Sequence, residues 1–200
     1  MTPRTESGGR RAPVLDSTGR RVVEAAFELV IEGGLDAMSI QAVATRSDVT
    51  RGSIAFRFGT KDDLLVAVAM TLFDESLDVV QRYFDEHEPT GADVIDALSR
   101  LFAHRPAAAF PMMIAEALRP RSPIRVGYAR FYDELRALFT ARLRSSAAVR
   151  APEVLAVVIL GATLGINLQQ QIAGGGIPRR AAFAMLREML EQATAPDLRT

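Results

Sequence analysis

Residues 38–68 read MSIQAVATRSDVTRGSIAFRFGTKDDLLVAV, and the stretch divides itself into short helices. Ser39 fits the N-cap of a helix that turns Ile40, Val43 and Ala44 inward, since its hydroxyl can accept from the free amides of a first turn. Ser47-Asp48-Val49 makes a turn, and Thr50 caps the next helix. The spacing suits a helix-turn-helix: small Ala44 stands where two helices must touch, and apolar Val49, Ile54 and Phe58 seat the second helix on the first. Thr50, Arg51, Ser53, Ala55, Phe56 and Arg57 are left facing outward. Arginine pairs bidentately with guanine or holds phosphate, hydroxyls take phosphates or base edges, and a helix N-terminus offers unpaired amides to an anion. On spacing alone, an ordinary helical hairpin fits equally well.

Outward from this stretch the pattern stays helical. Asp16 or Ser17 caps a first helix that buries Val22, Val23, Ala26, Phe27, Val30 and Ile31, and Gly33-Gly34 is expected to end it. Thr60 and Asp63 form a capping box ahead of a long amphipathic helix through Leu64, Leu65, Val68, Leu72, Val79, Val80 and Phe84, which Glu88-Pro89 closes. Thr90 and Asp93 repeat the box, and Pro106 limits that helix near His104. A shorter piece spans Ala107 to Leu118. Ser122-Pro123 opens a helix with Ile124, Tyr128, Phe131, Leu135 and Leu138 inward, and Pro152 opens another, apolar through Ile166. After Gly174-Gly175-Gly176, Pro178 starts a last helix with Ala182, Phe183, Leu186, Met189 and Leu190 inward. No strand is expected.

The fold class is therefore all-α: a three-helix N-terminal domain with a helix-turn-helix, then a helical bundle. Residues 1–15 form a flexible basic arm carrying Arg10 and Arg11, 16–60 the helix-turn-helix domain, 61–195 the bundle, and 196–200 a tail.

The quoted stretch resembles, nearly residue by residue, the helix-turn-helix and the start of the fourth helix of the TetR family of transcriptional regulators. The resemblance implies a homodimeric, cytoplasmic repressor that binds a palindromic operator in double-stranded DNA and is released by a small, largely apolar effector. Carried over by position, Thr50 looks like a capping hydroxyl aimed at phosphate, Gly52 allows close approach to the backbone, and Lys61 resembles a phosphate-contacting lysine. Lys61 is also the one lysine of a chain that otherwise uses arginine. The DNA-contacting set is expected to be Ser39, Thr50, Arg51, Gly52, Ser53, Ala55, Phe56, Arg57 and Lys61. Two residues depart from the family pattern. Ala55 stands where relatives commonly carry a phosphate-bonding tyrosine, and Asp48 replaces the usual turn glycine, which aspartate's tolerance of left-handed geometry permits.

In the bundle, Gly161 and Gly165 on the apolar helix let another backbone come close. With Leu168, Phe183, Leu186 and Leu190 they resemble the family's four-helix dimer interface. Phe102, Phe110, Met112, Met113, Tyr128, Phe131 and Leu164 supply soft and aromatic walls for an effector pocket, with Asn167 and Gln170 to orient a polar group.

Composition narrows the alternatives. Lys plus Arg and Asp plus Glu are 24 each, so any basic surface is local. There is no cysteine, which excludes disulfides and thiol chemistry. The N-terminus lacks the apolar core of a signal peptide, and Val154 to Ile166 is shorter than the roughly 18 residues that span a bilayer, so no membrane partner is expected. No enzyme is expected either: the two histidines, His87 and His104, have no catalytic constellation around them. Glu86-His87-Glu88 reads as solvated charge rather than a metal site, and Gly174 to Gly176 follows no strand and is no nucleotide loop. No cofactor is implied. A helical enzyme or a non-DNA interaction module is the competing reading.

Overall fold

A computed structural model describes residues 15–146, 149–173, 176 and 178–194. Residues 1–14 of the expected arm and the 196–200 tail lie outside the described residues, as do Gly174 and Gly175. Every regular element among the described residues is helical.

The N-terminal head consists of α1 (Ser17–Ala37), α2 (Ile40–Ser47) and α3 (Arg51–Phe58). Asp16 caps α1 by accepting from the Gly19 amide at 2.8 Å. Gly34 breaks α1 where the sequence places its end. It takes φ 74° and kinks the helix, which then runs one more turn to Ala37. The caps of the next helices are local and fall where the sequence puts them. The Ser39 hydroxyl accepts from Ala42 N, and the Thr50 hydroxyl from Ser53 N. Asp48, in place of a glycine, adopts the left-handed conformation (φ 53°, ψ 43°) between α2 and α3.

The bundle begins with α4 (Lys61–Glu86), whose capping box of Thr60 and Asp63 is complete. It continues with α5 (Asp93–Ala103), a 3-10 segment (Arg105–Ala109), α6 (Phe110–Ala117), α7 (Arg125–Arg144), α8 (Pro152–Ile172) and α9 (Arg179–Thr194). Here one local expectation fails. Thr90 accepts from the Asp93 amide, but the Asp93 carboxylate does not answer it. Asp93 instead pairs with Arg142 of α7, both side chains being nearly buried. The same guanidinium donates to the Phe84 and His87 carbonyls and lies over the Phe84 ring, so it ties the end of α4 to the start of α5.

One continuous apolar core runs from Val22 and Val30 in the head through Leu64, Leu72 and Phe73 to Met113, Phe139 and Leu143 in the bundle. Burying a large apolar side chain contributes about 1.5–3 kcal/mol each. Packing is tight where α4 crosses α7: a Cβ added to Gly127 would come within 2.1 Å of the Met70 methyl. Phe131 stacks between Phe73 and Phe110, with ring centroids at 4.7 and 5.6 Å.

Helix α8 is longer than its apolar stretch suggests. Its 21 residues are enough, by length and composition, to cross a membrane, which corrects the expectation drawn from 154–166. In this fold α8 is half embedded: Ala156, Ile159, Leu160, Thr163 and Asn167 are buried, and α7 and α9 lie against it.

Candidate functional site

On α3 the inward residues are Ile54 and Phe58, so the remaining face is turned to solvent. Thr50, Arg51, Gly52, Ala55 and Phe56 are exposed, and the Phe56 ring is 95% accessible. An aromatic ring held that far out has no packing function in the protomer, and it suits contact with a thymine methyl. A Cβ added to Gly52 would meet nothing within 4 Å, so the space at this glycine opens outward. Ser53 is half-buried, and its amide is already taken by the Thr50 cap. Ser39 is exposed at the start of α2.

Two of the cations near this face differ in their freedom. Lys61 is exposed in the first turn of α4, where the helix dipole opposes a positive charge by about 0.3–1 kcal/mol. The neighbouring Asp62 and Asp63 offset that cost. Arg57 is tethered: its guanidinium lies 2.9 Å from the Asp16 carboxylate. Behind the face, Arg46 of α2 reaches Glu28 and Glu32 of α1 at 3.0 and 2.8 Å, and those carboxylates raise its pKa further. Glu28 also accepts from Arg105 of the 3-10 segment at 3.4 Å. This network fixes α2 against α1, and the sequence reading missed it because its members lie on three separate elements.

In the bundle, Phe102, Phe110, Leu164 and Asn167 line a cavity of about 300 Å³, together with Gln170, Arg179 and the 3-10 segment. Tyr128 and Phe131 do not line it. They bound a smaller space of about 20 Å³ beside it, sharing the walls Phe102, Phe110 and Leu164. Burial there pushes the Tyr128 phenol well above its ordinary value. Met112 and Met113 line neither space. Met113 is fully buried and Met112 packs partly buried on the core, so both serve packing, and that part of the expected pocket is corrected. His87 stacks on Tyr83 at 4.1 Å and bonds the Tyr83 carbonyl, away from this cavity.

Residues 22–68, which hold the head and the start of α4, match the family described as bacterial regulatory proteins, tetR family. Over these residues the chain is similar to the TetR family. The HTH-type transcriptional repressor Rv3405c of Mycobacterium tuberculosis is 33% identical over 97 residues, 44% of this chain. The match spans about half, 52%, of that curated relative's length. Solved structures share the fold across both halves. A transcriptional regulator from Rhodococcus sp. superposes with TM-score 0.77 at 22% identity, over 88% of this chain and 97% of its own. A structure of the multidrug binding protein EbrR complexed with imidazole gives TM-score 0.66 at 23% identity, over 93% and 100%.

The last two helices leave an apolar surface open among the described residues. On α8, Val154, Val157, Val158, Leu168 and Ile172 are exposed, and on α9 Met185 and Met189 join them. A Cβ at Gly161 or Gly165 would meet nothing within 4 Å, so both glycines open outward from the protomer. Phe183 and Leu190, expected at an interface, are instead 5% exposed in the protomer's own core, and Phe183 packs edge-on to Phe102. Leu186 is half-buried beside them. The helix has two apolar stripes, and the spacing of 183, 186 and 190 selected the inward one.

Proposed function

We propose that this protein is a DNA-binding transcriptional regulator that acts as a homodimer in the cytoplasm, a repressor released from a palindromic operator by a small molecule. The observation that carries the reading is the outward face of α3, where Thr50, Arg51, Gly52, Ala55 and Phe56 are exposed around a capped helix start. In this reading each α3 enters a major groove, its first turn, Lys61 and Arg57 hold phosphates, and Arg51 and Phe56 reach base edges. The open stripe of α8 and α9 supports pairing with a second copy, because an isolated protomer would leave a contiguous apolar patch in water. Two-fold pairing then sets the reading helices roughly 34–36 Å apart. The repressor role is supported by the name of the mycobacterial relative. The effector role is supported by the cavity and by a structural neighbour described as multidrug binding.

Selection of the purified full chain against random duplex DNA tests the proposal. Enrichment of an inverted repeat with half-sites one helical turn apart is expected. A dimer that enriches no sequence would overturn it in favour of a helical enzyme or a non-DNA interaction module. A ligand that shifts the dimer between two arrangements by about 1–3 kcal/mol changes operator affinity roughly 5- to 150-fold.

A further inference from the structure

The cavity beside the 3-10 segment has a charge pattern that its apolar walls do not explain. Arg179, Arg105 and His104 all line it, and no carboxylate does so among the described residues. Arg105 is partly matched by Glu28, which it meets at 3.4 Å. Arg179 has no ion pair with a described carboxylate; one of its terminal nitrogens donates to the Phe102 carbonyl at 3.1 Å. The guanidinium keeps further N–H donors in the flat fork that fits a carboxylate.

A second observation is independent of the first. The side-chain oxygen of Gln170 is buried with no hydrogen-bond partner, although Gln170 lines the same cavity. A buried acceptor left unmatched carries a desolvation penalty that a donor group on a ligand removes. Asn167 is already engaged, its amide nitrogen donating to the Thr163 carbonyl at 2.8 Å. Phe102, Phe110, Pro111 and Leu164 provide the apolar remainder.

We propose that this cavity takes a small organic carboxylate whose apolar body carries a hydrogen-bond donor: Arg179 holds the carboxylate and Gln170 accepts from the donor. The proposal rests on the reading of this cavity as the effector site and adds the chemistry of the effector. A cationic ligand is disfavoured, because it would be placed among two arginines. Volume sets a further limit. About 300 Å³ lies at the small end of ligand pockets, so the body is a single ring or a short chain.

Calorimetry on the purified protein tests this with 3-(4-hydroxyphenyl)propanoate and 6-hydroxyhexanoate as probes. Each is compared with its primary amide, the matching amine and the acid lacking the hydroxyl. At least one hydroxy acid is expected to bind, with a tenfold or greater loss for its amide, a smaller loss without the hydroxyl, and no binding of the amine. Gln170→Glu, nearly isosteric, is expected to weaken the acids tenfold or more by charge repulsion while changing the amides far less, which a purely structural role for Gln170 would not do. Arg179→Gln is expected to make acid and amide equal. If amides or amines bind as tightly as acids, and Leu164→Trp abolishes that binding by filling the cavity, the carboxylate assignment is overturned and the effector site stands. If no probe binds, or Leu164→Trp leaves binding unchanged, the assignment falls together with the site.

Discussion

Asp16 restrains Arg57: the carboxylate that caps α1 also lies 2.9 Å from a guanidinium on the exposed side of α3. The Gly19 amide first, and then Arg57, hold the Asp16 carboxyl below its ordinary value. The restraint is therefore present above that ordinary value and is lost as pH falls through the depressed one. Asp16→Asn keeps the cap and removes the charge. We expect it to leave the thermal midpoint nearly unchanged and to free Arg57 for phosphate, steepening the salt dependence of duplex binding by about one unit of slope. Fluorescence anisotropy across a salt series measures this. An unchanged slope would mean that Arg57 already leaves Asp16 when DNA binds.

Lys61 and Arg51 should separate phosphate holding from base reading. Lys61→Ala is expected to weaken all duplexes alike and reduce the salt slope by about one, whereas Arg51→Ala relaxes preference at one base pair at a cost of about 1–3 kcal/mol. Gel-shift titrations with the selected operator and with single-base variants distinguish them. Equal affinity of Lys61→Ala and the parent protein would remove the phosphate role.

Gly161 faces open space, so Gly161→Leu should fold normally and fail to pair. Overpacking two helices costs about 1–3 kcal/mol, which raises the dimer dissociation constant roughly 5- to 150-fold. Light scattering over a dilution series follows the dissociation, and circular dichroism at high concentration checks the fold. A parent protein that is monomeric at high concentration defeats the expectation at once.

Arg142→Ala removes a partner from the nearly buried Asp93 and two carbonyl contacts at the end of α4. Breaking a buried pair in this way costs about 3–5 kcal/mol. At about 2–4 °C per kcal/mol for a chain of this size, the thermal midpoint should fall by roughly 6–20 °C. Asp93→Asn combined with Arg142→Ala should recover part of that loss, because the stranded charge is gone. Differential scanning calorimetry of the single and double variants decides it.

The Arg142 pair also marks where sequence reading stops. Ser39, Thr50 and the Thr60/Asp63 box were legible because a cap is settled within three residues along the chain. The left-handed turn at Asp48 was legible for the same reason. Thr90 and Asp93 carry the same signal, yet Asp93 answers to an arginine 49 residues away, and nothing local records that. The cavity is assembled from the end of α5, the 3-10 segment, α6, α8 and α9, so the aromatic residues that line it could not be told from Met112, Met113 and Phe131, which pack beside it. Helix α9 carries apolar residues on two sides, and spacing identifies stripes without saying which one meets a neighbour.

Glu75 stands on the rim of a cleft of about 440 Å³ between α1, α4 and the 3-10 segment. Desolvation, then the Asp78 and Glu24 carboxylates, raise its pKa, with His104 opposing them. A carboxylate raised in the folded state binds protons that the unfolded chain has already released, so stability falls as pH rises from the ordinary to the raised value. Glu75→Gln should therefore raise the thermal midpoint at pH 7 by about 1–3 °C, a small gain because solvent screens the side chain, and have almost no effect well below pH 4. Melting curves at the two pH values test the sign.

Helix α4 links two differently built ends, the Thr60/Asp63 box beside the reading head and the Arg142 clamp beneath Phe84. Its 26 residues make a rod about 39 Å long at 1.5 Å per residue. If the clamped end acts as the pivot, a tilt of only about 5° carries Thr60 roughly 3.4 Å, the rise of one base pair along a strand. Angular tolerance at the bundle end is thus converted into positional error at the groove. For a head that reads DNA as proposed, the stiffness of the joint around Arg142 sets how finely it can be registered on the duplex.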